Sequence, residues 1–225
     1  MRRTTDLSQA LAIMALLAFF WSAPVGAAAS ASDLQAADPR EALRMVRDTA
    51  QRVIGILQAR REELAADPAL LNAMVEHEIL PYFDFVRMSR LVLGKYWRRA
   101  SREERRQFVT EFRQMLVHSY ASSMLKYSQE KITYLPLRAT PGAREVTVRS
   151  EVELPGMEPV AVEYSLHFTN GQWKVYDVAI DGVSLVVNYR TSFAQEIRRS
   201  GGLAGLIEKL RRRNAQVNVQ PDAHG

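Results

Sequence analysis

The sequence contains no cysteine. That excludes disulfides, a thiol nucleophile and a thiolate metal site, so packing alone must hold the fold. Histidine is scarce, with four residues: His77, His118, His167 and His224. No two of them have metal-ligand spacing, and Glu76-His77-Glu78 would splay over different faces of a helix. No G-x-S-x-G, Walker or Rossmann glycine pattern is present, which removes the common nucleophile-elbow and nucleotide-binding signatures. Beyond residue 21 no long apolar run exists, so nothing in the rest of the chain has the length of a membrane span, about 20 residues.

What is present at the start is a charged beginning (Arg2, Arg3), an apolar run over residues 11–21, and small residues after Pro24. This is the layout of a cleavable secretory signal, expected over residues 1–29, with cleavage after Ala27, Ala29 or Ala31. The lack of cysteine after the run excludes a lipoprotein anchor. Residues 30–214 are then one domain and 215–225 a disordered tail. The chain carries 30 Lys+Arg against 25 Asp+Glu, a net charge of +5. In an exported protein, nucleic acid is not the expected partner. The excess points instead to anionic lipid headgroups or acidic partner surfaces, or simply to a solvated basic surface.

Apolar periodicity orders the chain. Residues 39–64 repeat apolar side chains every three to four positions, with Asp38 and Pro39 as N-cap and first helical residue. Asp67-Pro68 opens a second helix that ends by Pro81. Gly94 closes a short third one. Ser101 and Glu104 form a capping box for a long helix to about 128, with Phe108, Phe112, Met115, Leu116, Tyr120, Met124 and Tyr127 as its apolar stripe. The period then changes to two over residues 146–154 and 160–168, the pattern of strands with one buried face. Asn170-Gly171 makes a two-residue hairpin turn into a strand over 172–180. Residues 132–135 can add another strand, and 183–198 and 203–213 read as helices. The fold class is α+β, with N-terminal helices packed on an antiparallel sheet of about four strands, and short C-terminal helices.

Three carboxylates, Asp84, Asp177 and Asp181, sit among apolar residues. Each can be a general base in an apolar pocket, or a cap or ion-pair partner. Aromatic side chains are concentrated at Tyr82, Phe83, Phe85, Tyr96 and Trp97, and periodicity does not distinguish a filled core from one opened around a ligand.

Tyr82-Phe83-Asp84-Phe85, Val92-Leu93-Gly94 with Trp97-Arg98, Phe108 to Phe112, Trp173 to Val178, Gly182-Val183-Ser184-Leu185, and Asn188-Tyr189-Arg190 with Phe193 follow one another in order. In that order and spacing the chain resembles the MlaC family of periplasmic phospholipid-binding proteins, also called the toluene-tolerance family, over residues 40–213. The resemblance implies a helix-and-sheet fold around a deep apolar cavity that holds a phospholipid by its acyl chains, as cargo and without a cofactor. It implies partners at both membranes: an outer-membrane lipoprotein–porin complex and an inner-membrane ABC transporter with an MCE-domain subunit. The role it implies is outer-membrane lipid asymmetry, and the protein is expected to be a monomer and not an enzyme. On this reading the cavity is lined by Tyr82, Phe83, Phe85, Met88, Val92, Leu93 and Trp97. Phe108, Phe112, Leu116 and Tyr120 join them from the long helix. Val148, Val162, Tyr164, Leu166, Trp173, Val175 and Val178 come from the strands, and Val183 and Leu185 from the last turn. Two other readings stand beside it: an enzyme of the ketosteroid-isomerase kind using Asp84 or Asp177, and a periplasmic adaptor or chaperone with a filled core.

Overall fold

Asp38 begins the first helix by accepting a hydrogen bond from the Arg40 amide at 2.9 Å, and Pro39 occupies the position where a missing N–H costs nothing. The structure, a computed structural model, describes residues 37–126, 131–153 and 158–219. The signal-peptide expectation therefore lies outside the described residues.

Helix α1 spans Pro39–Ala59. The single helix expected to residue 64 breaks at Arg60, which leaves helical geometry at φ −125°. The break redirects the short α2 (Arg61–Ala66) so that Leu64 enters the core fully buried. Asp67 caps α3 (Pro68–Glu78), and a single 3₁₀ turn (Leu80–Tyr82) follows. Helices α4 (Phe85–Leu93) and α5 (Lys95–Arg99) meet at Gly94, whose φ of 52° explains the glycine there. Helix α6 (Arg102–Lys126) opens with the expected capping box: the Ser101 amide donates to Glu104 at 2.8 Å and the Glu104 amide to Ser101 Oγ at 3.1 Å.

The sheet has five antiparallel strands in the order of the chain: β1 (Lys131–Tyr134), β2 (Glu145–Glu153), β3 (Val160–Thr169), β4 (Gln172–Ile180) and β5 (Val183–Ser184). The fifth, only two residues long, is the one beyond the expected count. Asn170 and Gly171 both take positive φ, as a two-residue hairpin turn requires. Helices α7 (Leu185–Arg199) and α8 (Leu203–Val219) complete the chain. Residues 215–219 continue α8, so the tail expected from 215 starts too early. The helix is anchored late by buried Asn214, whose amide donates to the Glu111 carboxylate on α6 at 2.8 Å. Among the described residues, no helix is long and apolar enough to cross a membrane.

Three apolar clusters form. One joins α4, α6, α7 and α8 around Phe108, Phe112 and Phe193. One fixes the start of α1 to the sheet through Val148, Leu166 and Trp173. The third joins α1, α2, α3 and α6 around Leu57, Leu64 and Val117.

Two glycines sit in opposite environments, which makes a paired test. A Cβ on Gly205 would lie 2.2 Å from the Ser200 carbonyl oxygen, whereas one on Gly55 would meet nothing within 4 Å. Gly205→Ala should cost about 1–3 kcal/mol as the α7–α8 junction is forced apart. Gly55→Ala, exposed in α1, should stabilise by about 0.5–1 kcal/mol. Urea denaturation reads both; a neutral Gly205→Ala would show that this junction yields.

Candidate ligand cavity

The three clusters do not meet, and between them lies an apolar cavity of about 480 Å³, within the range of buried small-molecule sites. Helix α1 supplies one wall with Met45, Val46, Thr49, Ala50, Val53, Ile54 and Leu57. Val75, Ile79 and Leu80 follow from α3 and the 3₁₀ turn. Helix α6 gives Leu116, Val117, Tyr120, Ala121, Ser123 and Met124. The sheet gives Ile132, Val152, Tyr164, Val175, Val178 and Ile180. Tyr82, Phe83, Phe85, Met88 and Leu185 close the end beside α4 and α7. Among the described residues that line it, none is charged.

The few polar groups are hydroxyls. Tyr82 Oη accepts from Arg52 at 3.3 Å, and Tyr120 Oη lies 3.4 Å from Tyr189 Oη. Thr49 Oγ1 is buried with no hydrogen-bond partner among the described residues. Burial pushes the Tyr164 phenol up to about 12 and raises Tyr189 as well, where the bond to Tyr120 adds to the effect. Tyr164 and Tyr189 therefore stay neutral at ordinary pH. The walls can hold hydrocarbon, and nothing on them suits a charged group.

Half of the anticipated residues face this space: Tyr82, Phe83, Phe85, Met88, Leu116, Tyr120, Tyr164, Val175, Val178 and Leu185. The others lie elsewhere. Val92, Leu93, Phe108 and Phe112 are sealed in the cluster under α7 and α8, where Phe108 and Phe112 stack at 5.6 Å and Phe193 meets both edge-on. Trp97 lies at the border of that cluster beneath the Arg105 guanidinium, 5.3 Å from its ring. Val148, Leu166 and Trp173 are closed in under the start of α1, where Trp173 Nε1 donates to the Asp38 carbonyl at 3.1 Å. Val162 is half-buried outside the cavity walls. Val183 is 60% exposed while Leu185 faces the cavity, because the strand ends at Ser184 and the helical start of α7 breaks the alternation that would put both on one face. Sequence reasoning missed the α1 wall altogether, because its apolar stripe reads the same against a filled core as against a ligand.

A β-bulge decides which residues of β4 face inward. Leu166 pairs with Val175, but Ser165 pairs with Asp177 and Tyr164 with Val178, leaving Tyr176 as the extra residue. Val175 and Val178, three apart, therefore both reach the cavity, and Asp177 does not.

Comparison with known proteins agrees with this geometry. The MlaC protein family model matches residues 47–212. The chain belongs to the MlaC family. The MlaC binding protein of the intermembrane phospholipid transport system of Haemophilus influenzae is 25% identical over 175 residues, covering 76% of this chain and 81% of that one. The toluene tolerance protein ttg2D of Pseudomonas putida is 27% identical over 176 residues, covering 74% and 81%. A phospholipid-binding protein from Ralstonia solanacearum, solved in complex with a phospholipid, is similar with a TM-score of 0.72 and 30% identity over 78% of this chain and 97% of that one.

In this MlaC-family chain the candidate bases are occupied elsewhere. Asp84 caps α4, accepting from the Arg87 amide at 2.8 Å and bonding His167 Nε2 at 3.0 Å. Asp177 accepts from Ser184 Oγ at 2.5 Å and from the Val186 amide at 3.1 Å, pinning the start of α7 to β4. Asp181 accepts from the Ala161 amide at 3.0 Å. His167, on the polar side of the β3 alternation, has a side chain only 13% exposed. That side is covered at this end by Asp84, Arg87 and Tyr176. Among the described residues no group of His, Asp and Glu is placed to hold a metal ion.

Burial lowers the His167 imidazole below its ordinary value and Arg87 adds to this, with Asp84 opposing; burial also lowers His118, against nearby Asn214 and Glu76. A histidine whose folded pKa is depressed binds fewer protons folded than unfolded. Its stabilising effect is therefore lost as pH falls through the unfolded value near 6.5. The urea midpoint should drop between about pH 7.5 and about pH 5.5. The His118→Gln/His167→Gln double variant should decline less steeply. An equal slope in that variant would place the titrating groups elsewhere.

Proposed function

We propose that this protein is a periplasmic carrier that holds a phospholipid by its acyl chains and passes it between membranes. The observation that carries this reading is the cavity lined by carbon and a few hydroxyls, with no charged side chain among the described lining residues. The MlaC-family relatives, one a binding protein of an intermembrane phospholipid transport system and one solved with a phospholipid, support it. The signal-like start of the sequence supports a periplasmic location. The finer steps belong to the same proposal. The carrier docks on an inner-membrane ABC transporter with an MCE-domain subunit and on an outer-membrane lipoprotein–porin complex. Moving phospholipid between them maintains the outer membrane's asymmetry.

The physical logic needs no catalytic group. Two acyl chains carry about 30 methylenes, and burying each is worth about 0.8 kcal/mol, so the gain over water is on the order of 20 kcal/mol. A bilayer offers the same chains a similar gain. Cavity and membrane are then nearly balanced, and tail binding discriminates headgroups weakly. The enzyme reading loses support because Asp84 and Asp177 serve as caps away from the cavity. The adaptor reading loses support because the interior is open.

Native mass spectrometry of the purified protein should show the mass of a phospholipid. Val178 faces the cavity, and Val178→Glu places a carboxylate against hydrocarbon, where it must ionise at a desolvation cost or stay protonated. The variant should lose most of its extractable phospholipid while circular dichroism stays native. Val217→Glu, at a position 43% exposed on α8, should keep it. Should Val178→Glu fail to fold, Ala50→Phe fills the same cavity without a charge and should also displace lipid. A wild-type protein free of phospholipid, or full occupancy in both cavity variants, would sink the proposal.

A further inference from the structure

The positive charge of this protein is concentrated in two stretches, residues 85–106 and residues 198–213. Residues 85–106 contain eight Lys and Arg against two Glu, while the rest of the chain has 22 against 23 Asp and Glu. That stretch is α4, α5 and the first turn of α6. Arg87 and Arg106 have acidic partners, Glu145 and Glu103. Arg105 is used internally, donating to the Trp97 carbonyl at 3.0 Å and so capping the end of α5. The remaining five, Arg90, Lys95, Arg98, Arg99 and Arg102, are exposed, and none takes part in an ion pair among the described residues. Arg190 of α7 adds to them. It is exposed, lies about 3.5 Å from where a Cβ on Gly94 would be, and has no acidic partner either. In the C-terminal stretch Lys209, Arg211 and Arg212 pair with Glu196 and Glu208, while Arg198, Arg199 and Arg213 are exposed with no ion pair among the described residues.

A second observation comes from the exposed aliphatic side chains. Val86, Ile180, Val183 and Val187 are 56, 41, 60 and 62% exposed. They belong to one end of the molecule. The Asp84 amide donates to the Val175 carbonyl and the Val186 amide to the Asp177 carboxylate, so the starts of α4 and α7 are tethered to β4 two residues apart. Val183 pairs with Ile180 across β4 and β5. Ile180 also lines the cavity, and Phe85 and Leu185, the chain neighbours of this apolar rim, line it too. The cavity thus reaches the surface beside exposed aliphatic groups, on the elements that carry the unpaired cations.

We infer that this face, the apolar rim of Val86, Val183 and Val187 with the neighbouring cations Arg90, Lys95, Arg98, Arg99 and Arg102 and, from the first half of α7, Arg190, docks on an anionic phospholipid bilayer. A bilayer supplies both halves of what the face presents. Headgroup phosphates meet the Arg and Lys side chains, and the interface accepts the valines. The exposed valines are what favour a bilayer over an acidic protein surface, since they gain most where apolar interface lies directly beneath the phosphates. Docking there would set the cavity mouth against the membrane. The inference deepens the carrier reading and rests on it for the choice of a lipid surface.

Co-sedimentation with vesicles tests it, using the mature chain as purified. Vesicles of phosphatidylglycerol with phosphatidylethanolamine should bind at least about tenfold more tightly than vesicles of phosphatidylcholine, and about 0.5 M salt should abolish most of the difference. Arg90→Glu/Arg98→Glu/Arg99→Glu should lose about tenfold or more. Arg198→Glu/Arg199→Glu/Arg211→Glu, with the same change in net charge, should stay within about twofold of wild type. Val86→Asn/Val187→Asn should weaken binding with the salt dependence unchanged. Equal losses in the two arginine triples would reduce the effect to net charge and overturn the assignment to this face. A wild-type chain that ignores anionic vesicles overturns it outright, even if it captures an acidic protein. Unchanged binding by the valine pair removes the rim from the contact. Phospholipid extracted per folded chain is measured in parallel: a wild type without lipid counts against the carrier reading, whatever the vesicles show.

Discussion

The structure depends on helix α6 belonging to two cores at once. Its first half, through Phe108, Phe112, Met115 and Leu116, is sealed against α4, α7 and α8. Its second half, through Val117 and Ala121, packs with α1, α2 and α3. At 25 residues it spans about 37 Å. Because each half is fixed by a separate cluster, neither can slide inward to fill the space between them. The third cluster fixes the sheet to the start of α1 and holds the opposite wall. An apolar cavity of about 480 Å³ kept empty and dry would cost on the order of 10 kcal/mol, comparable to the whole stability of a small domain. Rigid walls around such a volume make sense when something apolar occupies it.

Much of this architecture is legible in the sequence where local chemistry is decisive. Ser101 and Glu104 announce α6, Asn170-Gly171 announces the β3–β4 hairpin, and Asp38-Pro39 and Asp67-Pro68 announce α1 and α3. What the sequence does not carry is the partner of each apolar face. The stripe on α1 is the same whether it meets a filled core or a ligand, so Val53 and Leu57 give no sign of the cavity. Phe108 and Phe112 look like ideal lining and are instead sealed by Phe193 and Leu206, about 80 to 100 residues away in sequence. Val183 shows the limit most sharply. It stands two residues before Leu185, and the change from strand to helix at Ser184 sends one outward and the other inward.

The β-bulge at Tyr176 links the sheet's geometry to the site's chemistry. With strict alternation Val175, Asp177 and Ala179 would share a face, and a carboxylate would look into the hydrocarbon space. The extra residue rotates the strand so that Val178 takes that place and Asp177 turns to Ser184 and the Val186 amide. One displaced residue thus removes the only β4 carboxylate from the wall and uses it to fix the start of α7. Asp84 is handled similarly, between Phe83 and Phe85 in sequence but directed to the Arg87 amide and His167. Both acids brace the wall from outside.

A wall built this way has a consequence for direction. Carbon-lined binding gives a lipid about what a bilayer gives it, so the cavity can neither strip a membrane nor empty itself into one by affinity alone. Net movement then requires that something change the cavity's affinity or its access while the protein is docked. The braces are where such a change can be applied. The starts of α4 and α7 are held to β4 by the Val175 carbonyl and the Asp177 carboxylate, and they carry Phe85 and Leu185 into the cavity end. The elements that close the cavity and the elements that face outward at this end are the same, so a contact made on that face bears directly on the cavity wall.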